Sequence, residues 1–209
     1  MAYGDNRSEL ASDTFDSSID GNWAVGEGDW DNMQWLTGGH VEPIGNTSCA
    51  MRRSGETYAD DQYSILTINA MTTNSDWVAA TVRMASGVDE SAYVCYYDTE
   101  LNEYSIYEFD SAFGATLLNS VANDTTALQA GDTLTAEVEG ITIRLGTNEG
   151  SGDGQRLTTT DTTITSGDPG MHIFQGLNES SITAWSGGDI GAGAGIPIYM
   201  HHHLQHNLG

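Results

Sequence analysis

The 209-residue sequence contains no lysine, and its only strongly basic side chains are six arginines. Thirty aspartate and glutamate residues oppose them, so the formal net charge is -24 at pH 7. Nucleic-acid affinity comes from neutralising phosphates, and anionic lipid headgroups also repel an acidic surface. The composition therefore excludes nucleic acid and membrane surfaces as partners. No apolar run approaches the ~20 residues of a membrane-spanning helix.

Cysteine is scarce as well, because the chain has only Cys49 and Cys95. Their spacing does not match a zinc pattern. We expect both to be small buried apolar residues, while a disulfide and a reactive thiol stay open as alternatives. The opening residues, MAYGDNRSELASD, contain no apolar core of signal-peptide type. This predicts synthesis in a cytoplasm without secretory export.

Helical periodicity is almost absent, and alternation of apolar and polar residues takes its place. In Trp77–Met84 the even-numbered residues are apolar and should share one face, with Thr81 and Arg83 on the other. In Thr133–Glu139 the even-numbered residues are again apolar, and the odd-numbered ones should face water. Both patterns indicate antiparallel strands that are buried on one side.

Turn residues separate many such segments. We predict a tight turn at Gly140, a type II turn at Pro169–Gly170 and a hairpin at Asp98–Asn102. The predicted strands lie near Cys49–Arg53, Gln62–Ala70, Trp77–Met84, Ala92–Asp98, Glu103–Asp110, Thr116–Val121, Thr133–Glu139, Ile141–Leu145, Arg156–Thr160, Met171–Gln175 and Ile182–Ser186. Many short strands at near-regular spacing predict an all-β fold, an antiparallel two-sheet sandwich or jelly roll.

The two ends of the chain differ from this body. Residues 1–12 are polar and pattern-free, and residues 190–209 begin with a glycine-rich string. We therefore divide the chain into an N-terminal arm (1–12), a sandwich domain (13–189) and a C-terminal arm (190–209).

The C-terminal arm ends in IPIYMHHHLQHNLG, which contains four histidines. His202 and His206 have the spacing of a helical metal site, but Pro197 and the apolar residues before them disfavour a helix. Interrupted histidines after an apolar run also disfavour a purification tag. We favour an assembly arm that docks on a neighbouring subunit. Its predicted contact residues are Ile196, Ile198, Tyr199, Met200 and His203.

Several segments carry a family resemblance. They are DTFDSSIDGNWAVGEGDW, SAYVCYYDTELNEYSIYEF, AGDTLTAEVEGITIRLGTNEG, TTTDTTITSGDPGMHIF and SSITAWSGGD. Together they resemble the concanavalin A-like lectin/glucanase superfamily, which includes laminin-G-like domains, across Asp13–Asp189. The resemblance implies a concanavalin A-like jelly roll. That superfamily includes lectins, glycosidases, adhesion domains and virion proteins, so the fold alone implies no single function.

The catalytic patterns that we looked for do not match. Glycosidases of this superfamily carry an E-x-D-x-x-E motif whose alternate carboxylates share one sheet face. The nearest match joins Asp98, Glu100 and Glu103, in the wrong order and across a predicted turn. His40 and His172 lie in a turn and a strand, where structural roles are expected, and no nucleophile elbow is present. We predict no catalytic residues and no enzyme activity.

Carbohydrate binding needs an aromatic platform with polar groups nearby. Trp77, Tyr93 and Tyr104 are candidates, and we select Tyr97 and Tyr107, which we expect to share the outer face of their hairpin. Simple packing is the competing interpretation for each ring.

The resemblance also implies that a Ca²⁺ ion could tie the first and last strands. Oxygen ligands suit that ion, and Asp16 and Asp189 lie near those strands in the sequence. A solvated carboxylate surface is the alternative, and the metal-binding residues stay unknown.

These features lead to a first hypothesis, a non-enzymatic structural protein on the surface of a tailed-phage virion. It would be a capsid decoration (cement) protein or a fibre component, with the lectin-like domain facing outward. Its expected partners are the major capsid protein or another virion protein, sister subunits in a homo-oligomer, and glycans. The alternative is a free carbohydrate-binding lectin module. A glycoside hydrolase is a third, less favoured hypothesis.

Overall fold

The computed structural model describes residues 6–25, 30–45, 47–71, 77–86, 91–110, 114–122, 127–147, 154–174 and 180–191. In these residues the chain forms fifteen β-strands. They are β1 Arg7–Asp13, β2 Trp23–Val25, β3 Met33–Leu36, β4 His40–Pro43, β5 Ser48–Arg53, β6 Gln62–Ala70, β7 Trp77–Met84, β8 Ala92–Asp98, β9 Glu103–Phe109, β10 Ala115–Ala122, β11 Thr133–Glu139, β12 Thr142–Thr147, β13 Gly154–Thr160, β14 Asp168–Phe174 and β15 Ser181–Ile190. Across these ranges no helix has the length and apolar character that a bilayer span requires.

The strands form two antiparallel sheets. The larger sheet has eight strands in the order β13-β12-β11-β6-β15-β4-β3, with β1 also paired to β15. The smaller sheet has seven strands in the order β10-β9-β8-β7-β14-β5-β2. This architecture confirms the predicted all-β sandwich.

The core lies between the two sheets, where the predicted apolar faces meet. Val78, Ala80 and Val82 from β7 and the even-numbered residues of β11 are fully buried there. Burial of one aliphatic side chain of this kind stabilises the fold by about 1.5–3 kcal/mol. Trp185 of β15 is part of this core and packs against Trp23 in an edge contact, with ring centroids 4.9 Å apart.

Alternation fails at the end of β7. Arg83 has a positive φ of 53°, and β7 and β14 change register beside it, between Asp168 and Gly170. Met84 consequently packs with the residues on the outer face of the smaller sheet. The prediction that Met84 shares a face with Val78 is therefore wrong, because a left-handed residue reverses the side-chain direction that follows it.

The odd-numbered residues of β11 are less exposed than predicted. Glu137 lies on the outer face of the larger sheet, yet only 2% of it is exposed. Arg7 forms an ion pair with it at 2.6 Å, and Arg144 lies 3.7 Å away on the other side. Two long cations cover this carboxylate, so it does not face water as the alternation suggested.

The N-terminal boundary of the sandwich also differs from the prediction. Residues 7–12, which we assigned to an arm, belong to β1 and pair with Ser186–Ile190 of β15. Most residues of β1 are polar, because Arg7 reaches Glu137 and the rest of the strand apart from the core residue Ala11 is largely exposed. The strand β15 ends at Ile190, which is the first residue of the predicted C-terminal arm.

One predicted turn is wrong and two are confirmed. Pro169 and Gly170 lie inside β14, beside its change of register, and do not form a type II turn. Gly140 does turn the chain, with a φ of 58°, and residues 99–102 connect β8 to β9. Cys49 and Cys95 are both buried and free, which agrees with their expected role as small core residues.

A substitution at Gly188 tests how β1 is held. Gly188 lies between β1 and β6, and an added Cβ would collide with the backbone carbonyl oxygen of Ser8. Overpacking of this kind costs typically about 1–3 kcal/mol. We expect Gly188→Ala to lower the free energy of unfolding by that amount in urea titrations, with loss of amide-exchange protection in β1.

Gly21→Ala is the matched control, because no atom lies within 4 Å of a Cβ added there. Equal stability of the two variants would show that β1 does not pack against β15 as described.

Candidate functional site

The outer face of the smaller sheet carries a cluster of aromatic rings, which we call the aromatic face. Trp77 opposes Phe174 across β7 and β14, and Tyr107 and Phe109 come from β9. Residues two apart on one strand point to the same side, so β8 adds Tyr96 between its neighbours. The aromatic face comprises Trp30, Trp77, Tyr96, Tyr107, Phe109 and Phe174.

Two of these rings form a parallel pair. The Trp77 and Tyr107 rings have centroids 6.3 Å apart and planes inclined by 18°. Tyr96 lies against both in edge contacts, at 5.3 Å from Trp77 and 5.8 Å from Tyr107. Tyr96 is buried, whereas Trp77 and Tyr107 are each partly exposed. The result is a supported platform with two ring surfaces near solvent.

His172 lies beneath this platform and is completely buried. Its Nε2 is 2.6 Å from the Ser48 hydroxyl, and its Nδ1 is 2.6 Å from the Tyr96 hydroxyl. The rings of Trp30 and Phe109 enclose it, at 5.5 and 6.2 Å. Burial lowers the pKa of His172 to about 3, so the imidazole is neutral at physiological pH.

A neutral imidazole donates one hydrogen bond and accepts one. His172 therefore donates to one of its two hydroxyl partners and accepts from the other. The bond to His172 holds the buried Tyr96 hydroxyl in place. The second bond holds the hydroxyl of Ser48, which is partly exposed. Ser48 opposes Phe174 in the register of β5 and β14, which puts it two strands away from Trp77, with Phe174 between them.

Two carboxylates lie at the hairpin end of the aromatic face. Asp98 and Glu103 oppose each other where β8 and β9 meet. Asp98 accepts backbone hydrogen bonds from Glu100 at 2.8 Å and Leu101 at 2.9 Å, which fixes the turn. Burial, together with the charges of Glu103 and Asp98, raises the pKa of Tyr107. Asp98 also opposes Trp77 in the register of β7 and β8, and Glu103 lies four residues before Tyr107 on the same side of β9.

The selected glycan-binding residues Tyr97 and Tyr107 do not share a face. Tyr97 opposes Tyr104, whereas Tyr107 opposes Val94, so the two side chains point to opposite sides of the sheet. Tyr97 is 1% exposed in the core, and its hydroxyl donates to Asn102 at 2.7 Å. The expectation of a shared outer face is wrong, because the outward-facing tyrosine of β8 is Tyr96, the residue before Tyr97.

The predicted carboxylate motif and histidine sites have different outcomes. Asp98 ends β8, Glu100 lies in the turn and Glu103 begins β9. Because Glu103 opposes Asp98 across the hairpin, the expectation that the turn separates these carboxylates is wrong for this pair. His40 begins β4 on the larger sheet and takes no part in the aromatic face. Sequence reasoning missed Tyr96, Ser48 and Trp30. The alternation in β8 shows two apolar faces and does not reveal which one meets the core.

Asp16 and Asp189, the expected calcium ligands, lie far apart. Asp189 is beside Ser8, and Asp16 follows Asp13 at the other end of β1. At about 3.3 Å per residue, β1 separates the two ends by roughly 16 Å. Asp189 accepts a bond from the Ala59 amide, and Asp16 accepts one from Thr14. Within the described ranges no three His, Cys, Asp or Glu side chains form a metal-binding group.

The predicted contacts of the C-terminal arm lie outside the described residues. Ile196, Ile198, Tyr199, Met200 and His203 all follow residue 191, where the described part of the chain ends. Their role in assembly stays a prediction.

Comparisons with known proteins identify the fold. No protein-family model matches the chain, and no curated protein sequence matches it significantly. A β-1,3-1,4-glucanase (lichenase) derived from a mouse hindgut metagenome matches with a TM-score of 0.60 and 10% identity, over 86% of this chain and 99% of that one. The carbohydrate-binding module CBM66 from Bacillus subtilis matches with a TM-score of 0.58 and 13% identity, over 81% and 93%.

The calcium-bound exoplasmic/lumenal domain of VIP36 is a third similar structure. Its TM-score is 0.58 at 12% identity, and the match covers 86% of this chain and 90% of that domain. These three proteins have concanavalin A-like jelly rolls of the lectin and glucanase type, and the present chain has the same fold. At such low identity the likeness shows the fold and no more.

His172 makes the stability of the fold depend on pH. Its folded pKa of about 3 lies below the ordinary value of about 6.5 for an unfolded chain. Unfolding therefore takes up a proton between these values, so stability falls as the pH drops from 6.5 towards 3. The expected slope is about 1.4 kcal/mol per pH unit. His172→Gln should remove this component when unfolding curves of the two proteins are compared across that range.

An NMR titration provides the direct check. The imidazole signal that disappears in His172→Gln should not titrate between pH 5 and 8. A midpoint near 6.5 for that signal would contradict the buried, neutral His172.

Proposed function

We propose that this protein is a non-catalytic, lectin-like protein that binds carbohydrate on its aromatic face. The observation that supports this most directly is the parallel Trp77–Tyr107 ring pair, which is partly exposed and supported from below by Tyr96. Sugar rings present apolar C–H faces that pack on aromatic surfaces, while their hydroxyl groups need polar partners.

Polar partners surround the ring pair. The Ser48 hydroxyl, held by His172, lies on the Phe174 side of Trp77. The carboxylates of Asp98 and Glu103 lie on the hairpin side, where Asp98 opposes Trp77 and pairs with Glu103. A carboxylate accepts hydrogen bonds from sugar hydroxyls, and a serine hydroxyl both donates and accepts. The combination suits a neutral sugar rather than an anion, because the surrounding chain is strongly acidic.

The positions of the carboxylates and of His172 support sugar binding without hydrolysis. A retaining glycosidase needs two carboxyl groups about 5–5.5 Å apart, flanking the scissile bond. Here Asp98 and Glu103 are cross-strand neighbours, but Asp98 is buried and engaged with two backbone amides of the turn. Ser48 and His172 resemble a nucleophile and its base, but burial makes His172 a weak base and Tyr96 occupies the position of an orienting carboxylate.

Removal of one platform ring tests the proposal. Trp77→Ala and Tyr107→Ala should each weaken binding of the best glycan from an array by about tenfold, the upper range expected for one aromatic contact. Isothermal titration calorimetry measures the loss.

Tyr97→Phe is the matched control, since Tyr97 points into the core and its variant should bind like the parent protein. If Trp77→Ala and Tyr107→Ala both bind the glycan as tightly as the parent protein, the binding site lies elsewhere. Release of reducing ends from β-glucans, lost in Glu100→Gln or Glu103→Gln, would show an enzyme and contradict the non-catalytic part of the proposal.

For the biological setting we propose the surface of a tailed-phage virion, with the aromatic face directed outward. The chain would be a capsid decoration protein or a fibre component. Its partners would be the major capsid protein and sister subunits. The acidic surface supports this setting because it suits exposure to saline water and repels the packaged nucleic acid.

Particle association tests this setting. The protein should copurify with phage particles at a fixed copy number. A variant lacking residues 191–209 should keep its fold and its glycan binding but not join the particle. If the truncated protein still assembles, the predicted arm is not the attachment. Absence of the full-length protein from particles would contradict the virion role and leave carbohydrate binding unaffected.

A further inference from the structure

A second recess lies at the end of the smaller sheet, beyond the aromatic face. Two segments, Ala85–Ser86 after β7 and Thr163–Gly167 before β14, form most of its lining, with Ser91 and Asp110 completing it. Its volume is about 520 Å³, within the usual range of about 300–1,000 Å³ for small-molecule sites. We call this recess the hydroxyl cleft, because serine and threonine side chains dominate it.

A buried arginine fixes one wall of the hydroxyl cleft. The Arg83 guanidinium donates to the backbone carbonyls of Asp60, Gly140 and Ile164, at 2.8–2.9 Å. Arg83 itself has the unusual positive φ of 53°. Gly167 has a φ of 143° and packs so tightly on the Arg83 backbone that any Cβ would collide with it. Strained backbone of this kind persists only where the surroundings hold it, and it is frequent at ligand sites.

A buried tyrosine fixes the same wall from the core side. The Tyr93 hydroxyl donates to Asp161 at 2.6 Å and accepts from the Ile164 amide at 3.0 Å. Ile164 is itself buried in the core. The segment between Asp161 and Gly167 is therefore anchored at both ends and in the middle, so a ligand would meet a wall that is already ordered.

The chemistry of the lining selects the kind of ligand. Thr165 and Ser166 are exposed on the wall, and in the described ranges no protein group bonds their hydroxyls. Hydroxyls donate and accept, which matches a polyhydroxylated ligand. Asp110 and the net charge of -24 disfavour anions. A neutral sugar unit, bound by hydrogen bonds without ring stacking, fits these groups best.

The hydroxyl cleft is continuous with the aromatic face. Phe109 belongs to the aromatic face, and the next residue, Asp110, lines the cleft. Met84, the last residue of β7, packs with the aromatic face, and the next residue, Ala85, lines the cleft. Tyr107 and Asp110 are three residues apart, which corresponds to roughly 10 Å along a strand.

We infer that the hydroxyl cleft is a second subsite for the same glycan, so that the ligand is a neutral oligosaccharide chain rather than a single terminal sugar. One end lies on the Trp77–Tyr107 platform, and a later unit enters the cleft and bonds Thr165 and Ser166. This inference rests on the proposed carbohydrate binding.

The test compares affinity with chain length. Neutral gluco-, manno- and galacto-oligosaccharides, from monosaccharide to hexasaccharide, are titrated into the parent protein and the double variant Thr165→Val/Ser166→Ala. The parent should gain affinity with length until the ligand spans both subsites. The double variant should bind the shortest ligands normally and lose about tenfold for the longest. Thr162→Val is the matched control, on the same segment but outside the cleft.

The outcomes separate the two proposals. Identical length profiles for the parent and the double variant would overturn the cleft subsite and leave platform binding intact. If Trp77→Ala has no effect while the double variant weakens every ligand, the cleft binds sugar and the platform proposal fails. Failure of every oligosaccharide to bind the folded parent would overturn both.

Discussion

Strand β8 is buried along its whole length, although only one of its faces points into the core. Tyr93, Cys95 and Tyr97 fill the inner side, and Val94 and Tyr96 lie under the aromatic layer on the outer side. Because β8 is apolar on both faces, side chains from other strands must cover each of them. The sandwich core is the first layer, and the rings of β7, β9 and β14 are the second. The rings of the candidate binding surface are thus needed to cover β8, and they also face solvent.

The outer layer combines packing with a small polar network. Ser48, His172 and Tyr96 form a hydrogen-bonded chain in a space otherwise lined by rings. A buried polar group without a partner is costly, so each member of the chain constrains the others. This network fixes the height and tilt of Tyr96, and Tyr96 in turn supports Trp77 and Tyr107. The proposed sugar site would benefit from such rigidity, because rings that are already fixed lose little conformational entropy when a ligand binds.

The sequence was informative wherever strands were long. The bounds of β6, β7, β8 and β11 agree with the predicted ones, because each is a run of at least seven residues flanked by turn-forming residues. The strands β1 to β4 escaped detection. They are short or polar, and their pairing is decided by distant partners such as Arg7 with Glu137. The type II turn predicted at Pro169 was wrong because a proline beside an irregular register can lie within a strand.

The site was harder to predict than the fold, for a reason visible in two tyrosines. Tyr96 and Tyr97 are adjacent, and nothing local distinguishes which one faces the core. The answer depends on the register of β8 against β9, where Tyr97 meets Tyr104. A slip of one residue exchanges the faces of an entire strand. Residues joined through space, such as Ser48 with His172 or Arg83 with Gly140, leave no signal in the order of the chain.

The arginines have a practical consequence. All six lie within strands: Arg7 in β1, Arg52 and Arg53 in β5, Arg83 in β7, Arg144 in β12 and Arg156 in β13. With no lysine in these 209 residues, trypsin can cut only at hydrogen-bonded backbone. Proteases cleave such backbone only after it opens. Digestion by trypsin would therefore report the opening of strands.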